Sequence, residues 1–376
     1  MRDHCNAFGS CALALCVGGA SLWIGCSDDE SVAAGGGAPT GTPTATSTGS
    51  GQGGSSGGGT TATGTAGAGA TGGAGQGGAG GAIPSLPQVL ATGTSPRSIA
   101  LDATHLYWAG VGAHRVPKGG GAAEDLSLSG TGTTSYQTIA VDDTQLFLSP
   151  WISTTDRVWA APKGGGAATL IATTLGVANS GDDLTVDGTH VYWLESSGAG
   201  RVGKVGKDGN GAVELASDLS GLTGIAVYGS DVYWSCAPCD AIKRVSTAGT
   251  NPATLADSED APSDVAVTSD GIFWVNRVTM STSSPVTTGS VRRLEHGQST
   301  PVSLATNQAG PHAIAVDDTH VYWTNFFDGT IKRVPIVGGA VDTVASLQGE
   351  PTDIAIDGTT IYWIDEEAGT IVRVAK

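Results

Sequence analysis

The stretch IAVDDTHVYW at residues 314–323 divides into an apolar run, a polar turn and a second apolar run that ends in an aromatic pair. The same division recurs at 99–108 (IALDATHLYW), 139–148 (IAVDDTQLFL), 184–193 (LTVDGTHVYW), 225–234 (IAVYGSDVYW), 265–274 (VAVTSDGIFW) and 354–363 (IAIDGTTIYW). These seven copies end at residues 108, 148, 193, 234, 274, 323 and 363, so successive copies lie 40, 45, 41, 40, 49 and 40 residues apart. The unit at 312–346 predicts four strands: AIAV, HVYWTN, TIKRVPI and VDTVAS. Reversals at DDT, FFDG and VGG place Asp and Gly where a tight turn needs them. Seven four-stranded units at a period near 40 predict an all-β protein, a seven-bladed β-propeller.

Residue types within the phrase fit that arrangement. The first strand of each unit lies nearest the axis, where blades converge, and its second phrase position is Ala in six copies and Thr185 in the seventh. Farther out the blades splay, and the second strand meets the wider gap with its aromatic pair. Six of the nine Trp and five of the seven Tyr fall in these two columns, which marks them as packing between blades. Repetition also assigns Asp102, Asp142, Asp187, Asp317 and Asp357 to turn formation, and His105, His190 and His320 to the same turn. The last unit stops after GTIVRVAK (369–376), a third strand with no fourth. The text LPQVLATG (86–93) resembles the missing fourth strand. An N-terminal strand is therefore expected to complete the last blade and close the ring, with the folded domain spanning 84–376 and no open sheet edge left exposed.

Composition changes abruptly before residue 84. Residues 31–83 contain no charged side chain and consist mainly of Gly, Ala, Ser and Thr. Such text buries too little apolar surface to offset ordering entropy, so 26–83 is expected to be a disordered tether. About 50 residues of this kind span about 40 Å r.m.s.. Residues 1–25 read as an export signal, with Arg2 before the short apolar stretch CALALCVGGASLWIG. The text WIGCSDDE resembles a bacterial lipobox in which Cys26 would carry lipid; Gly25 and Cys26 fit that pattern and Trp23 departs from it. The resemblance implies a signal peptide of lipoprotein type and a lipid-anchored protein of the cell envelope, at the outer membrane and facing the periplasm or the cell surface. Lipid would be its only contact with the membrane.

Of six cysteines, only Cys236 and Cys239 lie in the repeat region. In an exported chain the text SCAPCD (235–240) predicts a local disulfide; a hairpin supplies no helix terminus to activate a thiol, and no second ligand pair is present for zinc. A formal net charge of −17 repels nucleic acid and anionic headgroups.

The line IAVDDTHVYWTN followed by GTIKRV resembles the YWTD, or low-density-lipoprotein-receptor class B, propeller repeat across nearly all of 84–376. It departs from that family in having seven units rather than six. The motif Asp appears only as Asp365, with Gly110, Pro150, Glu195, Cys236, Asn276 and Asn325 in the other copies. The resemblance implies a propeller and, loosely, extracellular binding. With its long Gly/Ser/Thr tether, the chain also looks like predicted lipoproteins of myxobacterial type.

Functional residues are expected where the copies disagree, in the connections that share one mouth of the channel. The segments entering each first strand place Arg97, Gln137, Asp182, Asp183, Asp264, His312 and Asp353 around the axis. The second-to-third strand loops add Trp151, Glu195, Asn276, Arg277, Asn325, Phe326, Phe327 and Asp328, together with Asp365, Glu366 and Glu367. Extra length gathers on the same face, at 149–156 and 276–290. Two readings follow. In the first, this face of a monomeric binding module recognises a protein or glycan, with Trp151, Phe326 and Phe327 as apolar anchors. In the alternative, Asp182, Asp264, Asp353 and His312 hold Ca²⁺ at the channel mouth, serving a hydrolase or lyase of gluconolactonase-like or virginiamycin-lyase-like type. No HExxH, P-loop or credible nucleophile elbow is present, and GGSSG (53–57) lacks the strand and helix an elbow requires.

Overall fold

A computed structural model describes residues 86–151, 156–173, 181–195, 200–217, 219, 221–277 and 288–376. The expected signal (1–25), Cys26 and the tether (26–83) lie outside the described residues, as do 152–155 and 278–287 of the two longer loops. The described chain forms seven antiparallel four-stranded sheets. Blade 1 comprises β2 (Ser98–Leu101), β3 (His105–Gly110), β4 (Gly112–Pro117) and β5 (Glu124–Asp125). The innermost strands of blades 2 to 6 are β6 (Tyr136–Val141), β10 (Gly181–Val186), β14 (Leu222–Tyr228), β18 (Pro262–Thr268) and β22 (Pro311–Val316). Blade 7 holds β26 (Pro351–Ile356), β27 (Thr360–Asp365), β28 (Thr370–Ala375) and, as its outer strand, β1 (Gln88–Thr92). Each innermost strand lies beside the next, and β2 lies against β26, so the circle is complete.

The apolar side chains collect between blades. There are seven hydrophobic clusters, and each draws on two neighbouring blades: Tyr192 packs with Trp234, Phe273 with Trp323, Tyr322 with Trp363, and Tyr362 with Trp108 across the closure. In every interface the ninth phrase residue of one blade meets the tenth of the next, and all fourteen are buried. Truncating one buried indole to Ala would cost roughly 3–5 kcal/mol, because two blades lose packing together.

Polar contacts repeat as well. Asp102 Oδ1 accepts the amides of Thr104 and His105, each at 2.7 Å, while its Oδ2 accepts the Tyr107 hydroxyl at 2.9 Å. The same set surrounds Asp187, Asp317 and Asp357. Four turn aspartates also hold a lysine at the end of the next blade's third strand. Lys163 pairs with Asp102, Lys207 with Asp142 at 2.8 Å, Lys118 with Asp357 at 2.9 Å, and Lys376 with Asp317 at 2.6 Å. These staples join neighbouring blades, so the turn aspartates do more than form turns. Burial works against ionisation of these carboxyls, but the lysine and amide bonds outweigh it. Asp142 and Asp357 are held down to about 2, and Asp102 and Asp317 are also held below the usual carboxylate range.

A third repeated unit steadies the indoles. Glu259 accepts the Trp274 Nε1–H at 2.9 Å and the Asn276 amide at 2.6 Å. Gln308 does the same for Trp323 and Asn325, each at 3.2 Å. The half-turn after β15 (Asp231–Cys236) is closed by a disulfide between Cys236 and Cys239, as expected.

β1 pairs with β28 along Gln88–Thr92, and its Leu90 and Ala91 enter the cluster shared by blades 7 and 1. A chain lacking residues 86–92 is therefore expected to unfold at a markedly lower temperature and to self-associate through the bare β28 edge. Thermal unfolding and size-exclusion chromatography test this; an unchanged Tm and a monomeric profile would contradict the closure role.

Candidate functional site

Six of the seven innermost strands show a register irregularity against their partner near the point where they enter the ring. A bulge of this kind re-aims a side chain. The residue just ahead of each phrase is Ser98, Thr138, Asp183, Gly224, Asp264, Ala313 or Asp353. The three aspartates use both carboxylate oxygens on backbone. Asp264 accepts the Val265 amide at 2.7 Å and, from the next blade, the Ile314 amide at 2.9 Å. Asp353 accepts Ile354 at 2.8 Å and Ile99 across the closure at 2.7 Å. Asp183 accepts Leu184 at 2.8 Å and Ile225 at 3.1 Å. These carboxylates therefore stitch inner strands together.

The same residues line a cavity of about 360 Å³ at the axis, with Arg97, Gln137, Thr223, Ser263, Arg277 and His312 on its walls. Burial raises all three aspartates. Asp183 is raised well above the usual range with help from the charges of Asp264 and Asp353; Asp264 lies at about 7 and Asp353 at about 6. Burial, and then the neighbouring Arg277 charge, lowers His312 to about 3, so its imidazole is neutral at physiological pH.

Above the cavity two guanidiniums lie on aromatic rings. Arg97 sits 3.4 Å from the Trp151 ring centre, and Arg277 lies 5.1 Å from Phe326 and 5.8 Å from Phe327. Phe326 stacks on His312 at 6.0 Å and meets Phe327 edge-on at 5.4 Å. Phe327 occupies the space beside Gly310 that a side chain would fill, where a Cβ would come within 2.2 Å of the ring. Burial lowers the pKa of both arginines, while the Glu366 carboxylate offsets part of that effect. Glu366 is itself raised by burial and by the charge of Glu350, against the pull of both arginines. Two polar atoms on these walls, Arg97 Nε and Gln137 Oε1, are buried without a hydrogen-bond partner.

Sequence reasoning thus brings Arg97, Asp183, Asp264, His312 and Asp353 to one cavity, with Trp151, Phe326 and Phe327 at its rim. Asn276 is placed elsewhere: it is buried inside blade 5 on Glu259, the role Asn325 plays in blade 6. Its presence in two copies at one phrase position was the available sign that it builds the blade. The Asp182 side chain lies outside the described residues. Among the described residues, no three of His, Cys, Asp and Glu are grouped to hold a metal ion. The candidate Ca²⁺ set therefore finds no common centre there: Asp264 and Asp353 point both oxygens at amides. Partnership between Glu366 and the two arginines, which come from three different blades, was not legible beforehand.

The chain matches no family model and no curated protein. Its fold is similar to solved propellers. A streptogramin B lyase structure aligns at TM-score 0.64 and 14% identity, over 78% of this chain and 98% of that one. Virginiamycin B lyase from Staphylococcus aureus aligns at 0.63 and 16%, over 77% and 98%. The WD40 propeller domain of Doa1 aligns at 0.60 and 12%, over 78% and 97%. Identities this low establish a β-propeller and nothing finer.

Two titration windows follow. The turn aspartates, depressed in the folded state, stabilise above the unfolded value of about 4 and lose that contribution as pH falls toward 2. The channel aspartates, raised in the folded state, contribute fully below about 4 and lose that contribution as pH rises through about 6 to 7. Thermal unfolding across pH is expected to show a maximum Tm between about pH 4 and 6; a Tm that keeps rising from pH 6 to 8 would count against the channel assignment.

Proposed function

We propose that this propeller is a binding module whose channel mouth takes a carboxylate-bearing sugar, with the carboxylate held by Arg97 and Arg277. The observation that carries the reading is a pair of guanidiniums, each laid on aromatic rings, above a polar cavity with an unpartnered donor and an unpartnered acceptor. Stacking fixes a guanidinium plane and leaves its edge free to donate to a carboxylate. Glu366, already raised and set between like and opposite charges, is the group a ligand carboxylate would displace. Trp151 and the exposed Phe327 offer faces to sugar rings. In a chain of net charge −17, two guanidiniums on one cavity favour ligands that can reach both arginines at once.

The proposal includes a YWTD-like origin for the repeat, supported by its text, and a lipid anchor at Cys26 that presents the domain at the cell envelope on its tether. The alternative, a metal-dependent lyase or hydrolase, draws support from the fold likeness to two streptogramin-type lyases. It would need a ligand set that includes side chains outside the described residues, such as Asp182.

Calorimetric titration with polygalacturonate oligomers, and with their methyl esters, tests the reading. Binding is expected for the free acid, with about tenfold or greater loss in Arg97→Gln or Arg277→Gln. Affinity is expected to fall from pH 5 to 8 as Asp353 and Asp264 gain charge near the ligand. Equal binding of acid and ester would sink the carboxylate assignment.

A further inference from the structure

The opposite end of the ring carries the turns between first and second strands and between third and fourth strands. Four interfaces carry the aspartate–lysine staple there; those of blades 3–4, 4–5 and 5–6 have Thr247, His296 and Ile336 in the lysine position, and the 4–5 interface fills the place with stacked rings. Tyr228 stands where four other blades use the stapled aspartate, and His296 of blade 5 stands where their partners use lysine. Tyr228 is 40% exposed and stacks face to face on His296, with ring centres 5.7 Å apart and planes within 19°. His296 Nε2 bonds to the Thr268 carbonyl at 2.7 Å, which fixes the imidazole beneath the tyrosine. A second substitution accompanies the first: Asp231 takes the place held by histidine in three blades, and its Oδ2 accepts Arg244 at 3.2 Å. Tyr233 lacks the carboxylate that accepts the hydroxyl of Tyr107, Tyr192, Tyr322 and Tyr362; its hydroxyl faces Arg244 instead. Tyr228, Asp231, Tyr233, Arg244 and His296 line one groove of about 480 Å³.

An equivalent groove between blades 6 and 7, of about 620 Å³, provides an internal control. There Lys376 reaches across to Asp317 at 2.6 Å, and Tyr322 donates to that aspartate at 3.0 Å. Lys376 and Tyr322 thus share one carboxylate in that groove. In the blade 4–5 groove the ion pair has been exchanged for an aromatic platform, flanked by a carboxylate, a guanidinium and a released phenol.

We infer that the blade 4–5 groove is a second ligand site, one that takes a neutral pyranose. The ring would stack on the exposed face of Tyr228, and two adjacent hydroxyls would bond to the Asp231–Arg244 pair. Aromatic rings hold the apolar face of a sugar by shape and dispersion, while a carboxylate beside a guanidinium supplies acceptor and donor to neighbouring hydroxyls. Charge selects against acidic sugars here, because Asp231 and Glu295 both border the groove. The site is independent of the channel mouth and lies at the other end of the ring.

The test uses the full chain and a panel of maltose, cellobiose, lactose and N-acetylglucosamine, read by saturation-transfer NMR and calorimetry. At least one sugar is expected to bind with millimolar affinity and to receive saturation on one ring face. Tyr228→Ala is expected to raise Kd about tenfold or more. The double variant Tyr228→Asp with His296→Lys, which builds the staple found in four other interfaces, is expected to abolish binding while keeping or raising Tm. Arg97→Gln is expected to leave it unchanged, which separates this site from the channel mouth. Failure of every sugar to bind the unaltered protein, or undiminished binding by the double variant, would overturn the proposal.

Discussion

Each hydrophobic cluster of this ring belongs to two blades at once: the Tyr or Phe of one strand closes on the Trp or Leu of the next blade's equivalent strand. A single blade therefore has no core to fold around, and the apolar surface of a four-stranded sheet finds its complement only in a neighbour. This one constraint explains why the phrase must be copied closely and why the copies must form a closed circle. It also explains why the chain returns its first strand to its last blade. The aromatic packing and the small residue near the axis are parts of one joint repeated seven times, and the Asp-led turn belongs to five of its copies.

Polar chemistry is layered on that joint in two opposed ways. At one end, turn aspartates are ionised, stapled to lysines and held below their usual range. At the axis, three aspartates are crowded, desolvated and raised, yet each gives both oxygens to amides on two strands. Both sets join blade to blade, but the axial set also exposes its charge to a cavity. Any ligand that enters meets groups whose protonation changes near neutrality, so the scaffold itself contributes to the electrostatics of binding. The neutral imidazole of His312, pressed between Phe326 and the charge of Arg277, belongs to the same balance.

Fold, blade number, closure and the disulfide were legible in the sequence because each follows from period, turn chemistry or cysteine spacing. Part of the channel was legible too, since residues at equivalent phrase positions must point at one axis. The staples were harder to see. Asp102 and Lys163 belong to different copies, and their pairing depends on how far one blade is rotated against the next. Asn276 was misplaced for a related reason: it lies at a loop boundary in the text, yet in space its amide reaches back to Glu259, seventeen residues earlier. Charge interactions that cross blades, like those of Glu366 with Arg97 and Arg277, require the angular geometry that a linear period does not contain.

Repetition also supplies a physical argument about where selection for binding can act. A joint present in seven interfaces tolerates the loss of one polar staple, since aromatic packing in the same interface remains: Tyr233 still packs against Trp274 between blades 4 and 5. An interface that gives up an ion pair for an exposed tyrosine and a histidine loses a modest stabilising term, on the order of 1 kcal/mol for a partly exposed pair. It gains a stack of Tyr228 on His296 that also joins blades 4 and 5 and leaves one face of the tyrosine exposed. The aspartate–lysine pair serves four of the seven interfaces, so three hold together without it. What sets the 4–5 interface apart from the other two without a staple is this stacked pair beside an acid and a guanidinium, the arrangement to which the proposed second site gives a use.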